Sequence, residues 1–465
     1  MATKSAKAIA LSELNPRQLA QEVLETIERE DAYSHIALDA ALERSGLDAR
    51  DRGLATELVY GTLTWQRSLD KVLGDFVRRG IDGLDLPVLV ALRVAVYQLL
   101  FLNRIPAHAA VDEAVEITKA GPSRAAAGLV NGVLRSIVRK RGQAKQANQS
   151  KQVRWWSDKG RERKPARYLG ERYSLPNWMT NRMLQYWGLE RAEKLAEAFD
   201  TRPPLYLRLL ADDVELPEGV EPVEGVPGAL RAASMSDAVR AGIADGKWGV
   251  QDLGSQLIGL YAGAEPDLAV LDGCAGLGGK TLHLARLVGP TGGVVAVDPA
   301  DTKIDMLCTA ADSAGMRERL TTQVASLQDF AQETDETFDL VLIDAPCSGL
   351  GVIRRHPETR WRRSESDIFA LTKLQAELLD VAATLVRPGG TLTYSVCTFT
   401  TEEGPKQVER FLERHGDFER TGAPESGPGA EVDWKKYVDG DAQLTLDPLE
   451  HDTDAFFAAR LRRKS

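Results

Sequence analysis

The chain has 465 residues, 43% of them hydrophobic and 27% charged, which excludes a disordered or collagen-like polymer and suits two to four folded units of a soluble protein. Four cysteines exclude a disulfide scaffold and suit a reducing cytoplasm. A net charge of −10 argues against a polyanionic partner, but positions 135–172 hold 13 Lys and Arg against 3 Asp and Glu, a local +10 that leaves −20 for the rest.

In chain order, the run Ala8–Leu11 is too short for a secretion signal, so a cytoplasmic location is expected. From Pro16 to Lys140 apolar residues recur at helical spacing, as in Leu19-x-x-x-Val-Leu-x-x-Ile27, with Asn15-Pro16 as a helix start and Pro106 and Pro122 as breaks. The stretch Leu86–Leu102 is interrupted by Pro87, Arg93 and Gln98 and reads as a buried helix, not a membrane span. Residues 1–141 therefore predict an all-α domain, and 142–171 a basic linker. Trp155 and Trp156 in that linker suit either base stacking or packing. Residues 172–248 predict a small α+β module with a helix over Trp178–Phe199 and a strand over Leu205–Leu210. From 249 to 465 short apolar runs (Leu268–Leu271, Val294–Val297, Leu340–Ile343, Thr391–Tyr394) alternate with helical segments near Thr281–Leu287, Thr302–Ala314 and Ser366–Leu385, which predicts an α/β domain around a parallel sheet. Phe456–Leu461 reads as a last strand.

The first of these strands runs into Asp272-Gly-Cys-Ala-Gly-Leu-Gly-Gly-Lys280-Thr281, a turn whose glycines let backbone approach a ligand and free a helix N-terminus. A P-loop would need glycine where Cys274 stands, and the spacing of a dinucleotide fingerprint is also missing. The remaining candidate is S-adenosylmethionine, with Asp272 before the glycines and Asp298 ending the next strand, where a carboxylate holds ribose hydroxyls; the bland alternative makes Asp298 a turn residue.

Two further strands end in Asp344-Ala-Pro-Cys347-Ser and Ser395-Val-Cys397-Thr. Both cysteines lie past the carboxyl ends of sheet strands, the edge where open α/β sheets bind ligands. A thiolate at such a place can add to C6 of a pyrimidine and turn C5 into a nucleophile, with a carboxyl such as Asp344 as partner for N3 and the exocyclic amine. Cys308 reads as a small core residue, and Cys274 as serving the turn through its backbone.

The pairing of Asp344-Ala-Pro-Cys-Ser348 with Arg354-Arg-His-Pro357, and the entry Val250-Gln-Asp252 with Ser255-Gln256, resemble the RNA 5-methylcytosine methyltransferases of the NOL1/NOP2/Sun type, on the bacterial ribosomal RNA side of that family. Glu57-Leu-Val-Tyr-Gly61 and Ala127-Gly-Leu-Val-Asn-Gly-Val-Leu-Arg135 resemble the antitermination factor NusB. The resemblance implies a NusB-like RNA-binding domain, an RNA-binding α+β module and a Rossmann-like class I methyltransferase domain. It also implies that Cys397 attacks the base, that Cys347 assists product release, and that Asp344 and Lys280 complete the catalytic set. Cys274, Ala275, Gly276, Leu277, Gly278, Gly279, Lys280, Asp298, Ser326 and Asp344 would line the donor site. The chain departs from the family at Gly276-Leu277, where Ala-Pro is usual, at Val396, where Thr is usual, and at Ala325-Ser326, where a third acid is usual. The basic run Arg354, Arg355, Arg360, Arg362 and Arg363 reads as a phosphate grip, with His356 on backbone or phosphate.

The expected activity is S-adenosylmethionine-dependent methylation of a cytosine C5 in small-subunit (16S) ribosomal RNA. The same chemistry on tRNA, and a non-catalytic RNA-binding assembly factor, stay open at this point. No metal and no membrane partner is expected, and a monomer is.

Overall fold

The start signal at Asn15 works as its position suggests. In a computed structural model, which describes residues 11–146, 155 and 158–465, the Asn15 side chain accepts the amides of Arg17 and Gln18, and Gln18 returns a bond to the Asn15 amide. The chain divides into two units, Met1–Asp200 with Ile353–Arg362, and Thr201–Val352 with Arg363–Ser465.

In the first unit the helices Pro16–Glu30, Ser34–Glu43, Ala49–Thr64, Gln66–Gly74, Leu86–Phe101, Ala107–Ala120 and Ala127–Gln146 enclose one apolar core. Leu86–Phe101 is buried along nearly its whole length, which is why its sequence is apolar all round. Gly61 faces it: a Cβ there would fall 2.0 Å from the ring of Tyr97, whose hydroxyl donates to Glu57 at 2.6 Å. No helix of the described residues is long and apolar enough to cross a membrane.

Two expectations are corrected in this unit. Residues 165–200, expected as linker and as part of the α+β module, form the helices Pro165–Arg172 and Asn177–Phe199 and belong with the helical core rather than with the strands that follow. Ser174 Oγ accepts the amide of Arg67 at 2.9 Å, and Ser68 Oγ donates to the carbonyl of Glu171 at 2.8 Å. Trp155 packs edge-on to Phe76 under the Lys140 ammonium; Trp156 lies outside the described residues, as does much of the expected basic arm.

The second correction concerns the basic run. Arg360 is fully buried, bonded to Asp200 at 2.7 Å and to the carbonyl of Phe199 at 2.9 Å. Arg362 donates to the carbonyls of Ala32 and Ile27, and Arg354 is buried. Arg360 and Arg362 bind their own unit and Arg354 is buried, so these three are not the exposed phosphate grip that their charge suggested. Burial pushes the Asp200 carboxyl up to about 7 against the pull of Arg360, and lowers the basicity of His356.

The second unit has two sheets. Strands β1 (Leu205–Leu209), β2 (Val220–Pro222), β3 (Ala229–Ala232) and β4 (Trp248–Val250) form an antiparallel sheet in the order β2-β3-β1-β4. Strands β5 (Ala269–Asp272), β6 (Gly293–Asp298), β7 (Leu320–Val324), β8 (Phe338–Asp344), β9 (Val386–Val396), β10 (Phe418–Thr421), β11 (Leu444–Leu446) and β12 (Phe456–Arg463) form the second. Its order is β10-β12-β9-β8-β5-β6-β7, with β11 also on β12. From β9 to β7 all neighbours are parallel, and β12 returns antiparallel. The helices Gly279–Leu287, Asp301–Ser313 and Glu365–Leu385 follow β5, β6 and the β8 loop, giving the Rossmann-like class I fold expected. The chain order reverses at β5, flanked by β6 and β8, which marks the ligand edge.

Replacing Arg360 by Ala leaves the buried Asp200 without its ion pair and should lower the stability of the first unit by about 3 kcal/mol or more. Chemical denaturation of the parent and the variant measures this.

Candidate active site

Strand β5 delivers Asp272 to the carboxyl edge, where the chain turns into the helix Gly279–Leu287. Gly278 takes φ +84°, and a Cβ there would stand 2.2 Å from Leu307, so the turn tolerates only glycine. At Gly276, φ +55°, nothing lies within 4 Å of the Cβ position, and backbone fronts open space. The Gly276 amide donates to Asp298 Oδ2 at 3.0 Å and the Ala300 amide to Oδ1 at 2.9 Å, with Lys303 Nζ 3.4 Å away. Asp298 thus ties the end of β6 to the glycine loop. Asp272 lies beneath, accepting the Thr281 hydroxyl at 2.7 Å and the Cys274 amide at 3.4 Å. Burial pushes its carboxyl up to about 6 despite the Thr281 bond.

The two cysteines meet. Parallel pairing sets Asp344 opposite Ser395, and the loops beyond bring Cys347 Sγ to 3.3 Å from Cys397 Sγ. Lys280 Nζ bonds Asp344 Oδ2 at 2.6 Å, and Ser395 Oγ donates to Oδ1 at 2.8 Å. Burial opposes the Lys280 ammonium, but Asp344, by charge and by hydrogen bond, outweighs it and the net shift is upward. The Cys347 thiol is driven well above the ordinary range by its bond to Cys397 first and by burial second, so Cys347 keeps its proton. One edge therefore holds two sulfurs, a buried cation and a carboxylate, next to a glycine loop.

Of the sequence-derived residues, Cys274 through Lys280, Asp298, Asp344, Cys347 and Cys397 share this edge. Burial also pushes the Cys274 thiol upward, in keeping with a backbone role. Leu277 is 56% exposed, an apolar side chain on the loop's outer surface. Ser326 is engaged otherwise, capping the helix Leu327–Glu333 through Asp329. Cys308 is a partly buried helix residue against Thr322.

Three contributors escaped the sequence reading. Glu403 is fully buried and accepts the Ser348 amide at 2.7 Å, the Ser348 hydroxyl at 2.6 Å, the Thr400 hydroxyl at 2.7 Å and Gln375 at 3.1 Å. It joins the residue after Cys347 to the segment after Cys397. Gly351 adds backbone bonds, from its amide to the Cys397 carbonyl at 3.0 Å and from the Ala455 amide to its carbonyl at 3.0 Å. A Cβ on Gly351 would lie 1.9 Å from the Ala455 oxygen. Arg208 of β1 is buried and donates to the Gly279 carbonyl at 3.2 Å; burial, with Arg286 nearby, lowers its pKa to about 9. A family model described as 16S rRNA methyltransferase RsmB/F matches residues 261–462, and one described as NusB family matches 14–139. The chain is 32% identical over 462 residues to the probable ribosomal RNA small subunit methyltransferase B of Synechocystis, covering 97% of this chain and 100% of that one. It is 35% identical over 463 residues to the protein of the same name in Bacillus subtilis, covering 96% and 98%. Among solved structures, that of PH0851 matches with a TM-score of 0.77 at 24% identity, covering 97% of this chain and 99% of the other, a likeness of fold.

Two outcomes follow from this geometry. Changing Glu403 to Ala strands the Ser348 and Thr400 hydroxyls and should cut turnover at least tenfold with destabilisation of about 2 kcal/mol, read by methyl transfer and by melting. Asp272 binds its proton more tightly folded than unfolded, so its contribution favours the fold below about pH 4 and is lost as pH rises through about 6. The Tm of Asp272→Asn minus that of the parent should therefore move in the variant's favour by roughly 3 °C or more between pH 4 and 7.

Proposed function

The chain belongs to the RsmB/F family of 16S rRNA methyltransferases, and from that premise we propose that it methylates C5 of a cytosine in small-subunit ribosomal RNA through a covalent bond from Cys397 to C6. S-adenosylmethionine is the methyl donor of this family. The loop suits it: backbone open to solvent at Gly276, an apolar surface at Leu277, and a carboxylate at the end of β6, all at the topological switch. Cys274–Lys280, Asp298 and Asp344 would hold it. Ser326 is proposed beside them in place of the third acid.

Bound there, S-adenosylmethionine supplies an electrophilic sulfonium methyl. Cytosine C5 is too weak a nucleophile to take it unaided. The Cys397 thiolate adds to C6, and the displaced π electrons make C5 an enamine carbon. Asp344, fixed by Lys280 and Ser395, accepts from the exocyclic amine and, once N3 takes up a proton from water as the ring gains electrons, from N3–H, which lowers the cost of that addition. Lys280 places a buried positive charge beside the site as electrons move onto the ring. C5 would take the methyl as the carbon–sulfur bond of the sulfonium breaks, its electron pair staying on sulfur as a neutral thioether, and C5 then loses its proton to solvent. The C5–C6 double bond re-forms as the C6–S bond breaks. Cys347, protonated and 3.3 Å away, donates to the departing Cys397 sulfur. RNA reaches this edge most readily as an unpaired base.

The observation that carries the reading is the sulfur pair at 3.3 Å beside the Lys280–Asp344 ion pair. Cys397→Ala should lose methylation of 16S rRNA on the order of a thousandfold or more while RNA binding persists. Cys347→Ala should accumulate an RNA–protein adduct that survives denaturing electrophoresis, because addition proceeds and expulsion stalls. Full activity of Cys397→Ala, or no adduct with Cys347→Ala under turnover, sinks the assignment of roles.

A further inference from the structure

The segment Ile353–Arg362 carries the motif Arg354-Arg-His-Pro-Glu358 into the first unit, where the methyltransferase mechanism makes no use of it. There His356 and Glu358 meet His35, from the first turn of the helix Ser34–Glu43. Each of the three presents a ligand atom, and these atoms lie within 4.8 Å of one another. The two imidazoles sit 5.0 Å apart, edge to face.

The hydrogen bonding of the cluster is incomplete in one direction. His35 Nδ1, His356 Nδ1 and Glu358 Oε2 are all buried without a hydrogen-bond partner. The other Glu358 oxygen is held: Oε1 accepts the Ser34 amide at 3.0 Å. A buried polar atom without a partner costs free energy, and three of them in one cluster imply a shared occupant. Two imidazole nitrogens and one carboxylate oxygen form the donor set of zinc-type sites that keep one position for water. The backbone-held oxygen is the kind of outer contact that aims a ligating carboxylate. The support is rigid as well, since Trp361 Nε1 donates to the Leu63 carbonyl at 3.0 Å, and Arg362 and Arg360 bind carbonyls of the same unit.

We propose that His35, His356 and Glu358 form a three-ligand site for one divalent transition-metal ion of the zinc type. The ion fastens the 353–362 segment to the helix Ser34–Glu43 within the first unit, and its role is structural. This departs from the expectation of no metal. It was hidden in the sequence because His35 stands in the first helices of the chain and His356 and Glu358 in a segment more than three hundred residues later, as the 324-residue separation of the neighbouring Ser34–Glu358 bond shows.

The test uses the full chain, stripped with a chelator and titrated with Co²⁺ and Zn²⁺. One Co²⁺ should bind per chain with visible d–d absorption and no sulfur-to-metal charge-transfer band, Zn²⁺ should displace it, and Zn²⁺ should raise the melting temperature. His356→Ala and the milder His35→Gln and Glu358→Gln should each weaken Zn²⁺ binding at least about tenfold and abolish the melting shift. Circular dichroism checks that the variants fold, and a folded Glu358→Gln suffices if the others do not. Undiminished Zn²⁺ binding in a folded variant, a thiolate charge-transfer band that assigns the metal to cysteines, or no stoichiometric binding by the parent would each overturn the proposal.

Discussion

The parallel register of β8 on β9 is the constraint on which the site depends. It places Asp344 opposite Ser395, so each strand enters its terminal loop at the same height and the two cysteines arrive side by side. A slip of one residue would turn Ser395 and Asp344 to opposite faces of the sheet and separate the sulfurs. The register is held by burial on both faces: Ile343, Leu342 and Val341 on β8 and Val396, Tyr394 and Leu392 on β9 are all inaccessible. Beyond the strands, where the ladder ends, Glu403 and Gly351 take over, one through side-chain hydrogen bonds and the other through backbone. Tyr394 closes the frame by donating its hydroxyl to the Glu403 carbonyl at 2.6 Å.

The charges at this edge gather around Lys280 and the two sulfurs. Lys280 is surrounded by acids, Asp344 in contact and Asp272 behind it. Burial pushes the Asp272 carboxyl up to about 6, and its charge, when present, adds to the pull of Asp344 on the ammonium. The Cys347 thiol is pushed upward by its contact with Cys397, by burial and by the charges of Glu403 and Asp344, so it keeps its proton.

Much of this was legible in the sequence, for a physical reason. Strands buried on both faces are continuous apolar runs, so β5, β6, β8, β9 and β12 stood out, as did the glycine turn, whose residues must be glycine where φ is positive. Strands at or near the sheet margin were missed. β7 reads Leu-Thr-Thr-Gln-Val and β10 Phe-Glu-Arg-Thr, each with a single face to bury. The cysteines and Asp344 were found because their chemistry is local to strand ends. Glu403 gave no local signal as a clamp, since its partners Ser348, Thr400 and Gln375 come from three separate segments. Local pattern does not carry such convergence.

The arginines show the opposite error, a strong local signal with the wrong destination. Five basic residues within ten positions read as a surface for phosphate, because a cluster of that charge is costly to bury. Arg354 and Arg360 are buried all the same, and carbonyl groups left over at helix ends are available to receive Arg360 and the half-buried Arg362. Arg360 takes those of Phe199 and Tyr173, and Arg362 those of Ile27 and Ala32, each in the last turn of a helix or in the link to the next. The guanidinium, with five donors in a fixed plane, is the group that can satisfy several such carbonyls at once. Both flanks of the excursion are fastened in the second unit, Gly351 by its backbone to Cys397 and Ala455, and Arg363 by Nε to the Ser348 carbonyl at 3.0 Å. The residues that hold 353–362 in place therefore lie on the same stretch of chain as the loop carrying Cys347. At Arg360 and Arg362 the charge in this motif is used for internal fastening.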